Sequence, residues 1–179
     1  MGWGGTLHEG VDSKRIQALA EQLGKTIAAS NCILITGTTN GIPDLVARAV
    51  IRYKGFTVGI SPADSRSEHV SKYQLPTDSS DLIIYTGFGY KGRNVVNIRS
   101  SDIVIIFGGG IGTINEFTIA FDEGKIIGVI EGVGGASDKI QDIMKLSHRT
   151  TGAAVFTSPD PSQLMQKCLS ALKSRSSEK

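Results

Sequence analysis

Gly108, Gly109, Gly110 and Gly112 crowd the turn between the apolar run "IVIIF" (103–107) and a helical pattern, and Glu116 follows one turn later. Glycine admits positive φ and the close backbone approach that a phosphate-cradling loop needs. A helix start adds N–H groups without intrahelical partners, suited to an anion. A carboxylate beside such a site is out of character, since at about 4 Å it is repelled by a phosphate charge by roughly 4 kcal/mol for an effective dielectric of 20. Two roles for Glu116 follow. Thr113-Ile114-Asn115-Glu116 has the T-x-x-E spacing of a capping box, in which the carboxylate bonds back to the N-cap N–H. Alternatively, helical side chains lean toward the N-terminus, so a first-turn glutamate overhangs the glycine loop and sits beside the ligand, at its sugar. The second role needs a counter-cation. Arg93, in the first turn of the preceding helix, is the candidate. It reads either as a solvated surface arginine or as the partner of Glu116, the latter if the strands ahead of the two helices are adjacent and parallel.

Three further glycine clusters fall at strand ends: Gly37 and Gly41, then Gly87, Gly89 and Gly92, then Gly132 to Gly135. Any one of them is ordinary turn chemistry. Together on one edge they point to a ligand crevice, because doubly wound sheets bind outside the carboxyl ends of their strands. "GFGYKG" (87–92) matches the dinucleotide pattern G-x-G-x-x-G. The acidic residue expected at the end of the next strand is absent, since "IVIIF" runs straight into glycine, and this counts against an oxidoreductase.

The elements that must position these residues alternate. Val11 to Ser30 carries Ile16, Leu19, Ala20, Leu23 and Ile27 on one helical stripe. "CILIT" reads as a buried strand, and "GTTNGIP" leads into a helix with Val46, Ala49, Val50 and Tyr53 inward and Pro43 in its first turn. "FTVGI" and "DLIIYT" are the next strands, separated by a Ser/Asp/Pro-rich stretch (61–80) read as irregular and as functional or mobile. Helices are expected over about 93–100, 113–122 and 137–148, and strands at "IVIIF", "KIIGVI" and "AAVFT". The closing helix takes Asp160 as N-cap and Pro161 at its first position. Continuous rather than alternating apolar strands, each followed by a helix, predict a Rossmann-like doubly wound parallel sheet in three α/β/α layers. One nucleotide-binding domain over 1–172 with a disordered tail at 173–179 is expected. Met1 to Gly10 reads as a loop that would follow a strand, with no β-branched run before it.

The chain has 179 residues and 19 Lys+Arg against 17 Asp+Glu, a formal charge of +2 with no basic stripe, which argues against a nucleic-acid partner. No apolar run approaches the roughly 20 residues of a membrane span, and no signal peptide is visible, so a cytoplasmic location with no membrane partner is expected. Cys32 and Cys168 read as inert small hydrophobes, and His8, His69 and His148 are too scattered to predict a metal site.

Read together, "GRNVVNIRSSDIVIIFGGGIGTINE" (92–116) resembles the Lonely Guy (LOG) family and its relatives, often labelled lysine decarboxylases. Gly109, Gly110, Gly112, Thr113 and Glu116 fall on the family hallmark P-G-G-x-G-T-x-x-E, and Arg93 falls on the family arginine at the family distance from Ser101-Asp102. Gly108 stands in place of the hallmark proline, and Asn94 in place of a lysine. The G-R-N and G-G-G pattern is closer to a sister branch that includes molybdenum-cofactor carrier proteins, which bind a phosphorylated pterin without processing it. The resemblance implies a homodimer or larger assembly that binds a nucleoside 5'-monophosphate-like ligand. The amides of Gly109, Gly110, Ile111, Gly112 and Thr113 would take the phosphate, while Gly37, Thr38, Gly41 and Asn94 would line the ligand. Hydrolysis of the N-glycosidic bond, releasing base and ribose 5-phosphate, would rest on Arg93 and Glu116, because a carboxylate stabilises an oxocarbenium-like sugar and activates water. The alternative is a non-enzymatic carrier or sensor of a phosphorylated ligand. No cofactor is expected, since no lysine stands in a pyridoxal-phosphate context.

Overall fold

The structure, a computed structural model, describes residues 12–177, which alternate helix and strand throughout. In order they are α1 (Ser13–Ala29), β1 (Ile33–Thr36), α2 (Ile42–Arg52), β2 (Phe56–Ser61), α3 (Arg66–Ser71), β3 (Leu82–Tyr85) and α4 (Gly89–Arg99). There follow β4 (Ile103–Phe107), α5 (Ile111–Asp122), β5 (Ile126–Ile130), a 3-10 turn (Ser137–Lys139), α6 (Ile140–Ser147), β6 (Ala154–Ser158) and α7 (Pro161–Ser177). All strand pairings among the described residues are parallel, in two three-stranded halves ordered β1-β2-β3 and β4-β5-β6. The halves meet across a cavity of about 550 Å³ lined by Ile33 and Ile35 of β1 and Ile103 and Ile105 of β4. The reading of Met1 to Gly10 lies outside the described residues.

Two apolar layers flank the strands. One packs Ile16, Leu23 and Ile27 of α1, Val46 of α2 and Leu164 of α7 against Phe107 and Ile130. The other packs Ile98 of α4, Phe117 of α5 and Ile140 of α6 against Val104, Ile106 and Val129. Successive residues of one strand thus enter opposite layers, the period of a strand covered on both faces, and every residue of β5 is buried. This is the three-layer Rossmann-like arrangement that the alternating pattern predicts. Gly24, in the middle of α1, answers a packing need: a Cβ there would collide with Ala49 of α2. Close approach of the two helices offsets the roughly 1 kcal/mol that glycine costs a helix.

The boundaries depart from expectation in four places. The stretch 61–80 is not irregular throughout; it contains α3, whose N-cap Ser65 accepts from the Glu68 N–H at 3.2 Å while Glu68 accepts from the Asp64 N–H at 2.8 Å. α4 begins at Gly89, so Arg93 lies in its second turn rather than its first. α5 begins at Ile111 with Gly110 as N-cap, which places Glu116 in the second turn as well. α7 runs on to Ser177, past the expected end at residue 172, and Arg175 near its end donates to the carbonyls of Gly124 and Gly152, each at 2.8 Å.

Candidate functional site

Among the described residues, the turn after β4 has its carbonyls occupied and its helix amides unpaired. Gly108 and Gly109 take positive φ, 61° and 87°. Their carbonyls accept from the Ser137 and Ala136 N–H groups at 3.1 and 2.8 Å, and the Gly108 N–H donates to Ser137 Oγ at 3.1 Å. The loop over 132–137 is therefore a buttress. Its own shape is held by Asp138, whose carboxylate accepts from the Gly132 and Gly134 N–H groups at 2.8 and 2.9 Å. A Cβ at Gly135 would stand 2.5 Å from the Gly109 carbonyl oxygen, so this position requires glycine. A Cβ at Gly109 would likewise strike Thr113, whose side chain folds back over the turn.

Beyond the buttressed turn, α5 starts bare. Gly110 has no side chain to cap with, the first turn holds no acid, and the first helical bond is Ile114 N–H to the Gly110 carbonyl at 3.0 Å. The amides of Gly110 to Thr113 thus have no acceptor one turn back. Side chains added at Gly110 or Gly112 would meet nothing within 4 Å among the described residues, so no described element packs over these glycines. The partial positive charge of the helix start adds to their affinity for an anion.

The expected capping box does not form. Thr113 is the third residue of the helix rather than its N-cap, and the Glu116 carboxylate turns sideways to α4, where Oε1 accepts from Arg93 Nη1 at 3.2 Å. Both side chains are buried, Arg93 at 6 % and Glu116 at 4 % exposure. The solvated-surface role of Arg93 is thereby excluded. Burial pulls the Arg93 pKa below and pushes the Glu116 pKa above their ordinary values, while each partner's charge opposes the shift. Such a pair gains little over an apolar replacement, but breaking it by removing one partner leaves an uncompensated buried charge. Arg93 Nε, also buried, has no hydrogen-bond partner among the described residues. The guanidinium is joined through Glu116 to the second turn of the helix whose start is uncapped.

The remaining predicted residues fall around this centre in different ways. Gly37 lies against the Arg93 guanidinium, where a side chain would collide with Cζ, so its smallness admits the arginine. Thr38 holds a left-handed conformation at φ 54°, is buried, and donates from Oγ1 to the Gly37 carbonyl at 2.7 Å. Gly41, at φ 85°, is the N-cap of α2, and the adjoining Ile42 side chain reaches 3.1 Å from a Cβ built on Gly108. Asn94 donates from Nδ2 to Asn115 Oδ1 at 2.8 Å and so ties α4 to α5 beside the Arg93–Glu116 pair. Gly135 belongs to the 132–135 cluster expected at the crevice edge, whereas Ser137 and Asp138 were not foreseen as site residues. The only hint of them in the chain is the glycine cluster at 132–135 just ahead of them, and its contact with the 108–112 cluster depends on folding.

This geometry has relatives. The family model of the SLOG cluster4 family matches residues 1–165. The chain belongs to that family. An uncharacterized protein of Archaeoglobus fulgidus is 33% identical over 135 residues, which cover 72% of this chain and 83% of that one. Among solved structures, the SLOG cluster4 chain is similar to TM1055, with a TM-score of 0.77 at 22% identity, covering 96% of both chains. It is also similar to the molybdenum cofactor binding protein of the phototrophic bacterium Rippkaea orientalis, with a TM-score of 0.71 at 28% identity, covering 97% of this chain and 93% of that one.

Proposed function

We propose that this protein binds a phosphorylated small molecule in the crevice at the start of α5 and acts as its carrier or sensor. The phosphate sits on the amides of Gly110 to Thr113, and Arg93 meets its charge. The observation that carries the reading is the uncapped start of α5, a helix whose next turn holds, through Glu116, the buried guanidinium of Arg93. Charge-assisted hydrogen bonds of this kind contribute about 1.5–3 kcal/mol each. Likeness to a molybdenum cofactor binding protein supports a cargo of the phosphorylated-pterin kind. Thermal unfolding with a panel of phosphorylated pterins and nucleoside monophosphates tests it, because a ligand stabilises the folded state that it binds. Stabilisation without chemical change of the ligand is the expected result; no stabilisation by any phosphorylated compound contradicts it.

Glu116 favours a second reading, the LOG-type hydrolysis of a nucleoside 5'-monophosphate. It lies three and four residues after Thr113 and Gly112, and so on the same face of α5 as the anion cradle. Its raised pKa suits a group that takes a proton from water. Release of free base and ribose 5-phosphate from AMP, lost in Glu116→Gln, would establish hydrolysis in place of carriage. The reading includes self-association, supported by the exposed Phe56, Leu82 and Ile84 on one face of the β1–β3 half.

A further inference from the structure

One residue at the site edge holds a conformation that its side chain disfavours. Five described non-glycine residues take positive φ. Asn31, Lys54, Gln74 and His148 are exposed, whereas Thr38, at φ 54°, is buried and alone is β-branched. A β-branched side chain in the left-handed region is a backbone outlier, and such strain persists only where the surroundings dictate it.

The surroundings do so from three sides. The Thr38 N–H donates to Thr36 Oγ1 at 3.2 Å. Its methyl group, Cγ2, fills the space over Gly59 of β2, where a Cβ would collide with it. Its hydroxyl donates to the Gly37 carbonyl at 2.7 Å. Gly37 in turn lies against Arg93: a Cβ there would strike Cζ, Nη1 and Nη2 together, so the guanidinium presents its face to Gly37. The Gly37 carbonyl thus belongs to a residue in contact with a cation that has N–H groups to spare. Glu116 accepts from Nη1, while Nε has no partner among the described residues. Hydrogen bonds to a charged group are stronger than those between neutral groups, so a carbonyl free to turn would face the guanidinium. Here it accepts from a hydroxyl instead, because the left-handed turn at Thr38 and its seat on β2 put that hydroxyl in place.

Resting on the phosphate-binding reading above, we propose that Thr38 is a positioning residue that holds the Gly37 carbonyl away from Arg93, so that the guanidinium N–H groups left by Glu116 stay available to the anionic ligand. Thr38 then serves the ligand without touching it. The strained turn keeps the cation in want of a partner, as the glycine N-cap does for the amides of α5.

The test is Thr38→Val, which keeps volume and branching and removes the hydroxyl. Thr38→Gly, which accommodates positive φ without strain, takes its place should the valine variant not fold. Thr38→Ser is the rescue, since it retains the hydroxyl. Nuclear magnetic resonance reads two quantities: the Arg93 Nε–H resonance without ligand, and the affinity for inorganic phosphate. Without the hydroxyl, Nε–H should move downfield before any phosphate is added, as the released carbonyl turns to it, and phosphate affinity should fall by about tenfold. Thr38→Ser should leave the resonance in place and the affinity within about twofold of wild type. The proposal is overturned if both readings in the hydroxyl-free variant match wild type, or if only one of them changes; weaker binding with Nε–H unmoved is the mark of a merely structural role. If the wild type itself binds no phosphate, the phosphate-binding reading falls, and the unliganded Nε–H position alone upholds or overturns the hold of Thr38 on Arg93, so the two failures are told apart.

Discussion

Two helices of this chain begin in opposite ways. α7 opens on Asp160, whose Oδ1 accepts from the Gln163 N–H at 2.8 Å, and puts Pro161, which has no N–H, at its first position. α5 opens on Gly110 with no side-chain cap and no acid in its first turn. The closing helix satisfies its own start; the site helix leaves four amides to something else. A missing cap costs about 1 kcal/mol of stability. Around α5 that cost is met by the buttress from Ser137 and Ala136, which ties the turn down through its carbonyls while leaving the amides open.

The contrast can be broken or sharpened by substitution. The largest effect belongs to Glu116→Ala, which strands Arg93 as a buried charge and should cost about 3–5 kcal/mol. At roughly 2–4 °C per kcal/mol for a chain of this size, the melting temperature falls by about 6–20 °C, measured by calorimetry. Next, Gly112→Asp places a carboxylate at a position whose Cβ meets no described residue within 4 Å. An acid in the first turn stabilises a helix by about 0.3–1 kcal/mol, so thermal stability should hold or rise. Phosphate affinity should fall by about a hundredfold, since the new charge occupies the cradle and repels the ligand. Asp160→Ala is the converse: about 1 kcal/mol less stable, with ligand affinity unchanged. Smallest for folding is Leu82→Glu, on an exposed face and so within about 0.5 kcal/mol of wild type. Light scattering should nonetheless show a reduced particle mass if copies join through the β1–β3 half.

What could be read from the chain before folding follows the same division between local and distant causes. The strands were legible because buried parallel strands are continuous apolar runs, and "IVIIF" and "IIGVI" lie at the positions read for them. The start of α7 was legible because Asp160, Pro161 and Gln163 are a local signal. At α5 the same kind of signal misled. Thr113 and Glu116 have capping-box spacing, yet the helix starts two residues earlier, because Gly110 and the buttress set its start and Arg93 claims the carboxylate. A true local signal went unused at Ser65 and Glu68, where serine and proline around them suggested a loop. Pairing of Arg93 with Glu116 was read as needing the strands ahead of the two helices to be neighbours, yet β3 and β4 fall in different three-stranded halves; the pair forms because α4 and α5 lie side by side, and its burial depends on Gly37 leaving room for the guanidinium. The buttressing role of Gly135 and Ser137 was out of reach for the same reason: it is contact with a loop 26 to 29 residues away.

The central claim is that the first-turn amides of α5 receive an oxyanion, and amide-resolved nuclear magnetic resonance during titration with inorganic phosphate or a nucleoside monophosphate tests it most directly. The account predicts saturable downfield shifts at Gly110, Ile111, Gly112 and Thr113, with Arg93 Nε–H moving in step, and none at the capped start of α7. Shifts confined to other surfaces, or no saturable change at these four residues, would contradict it.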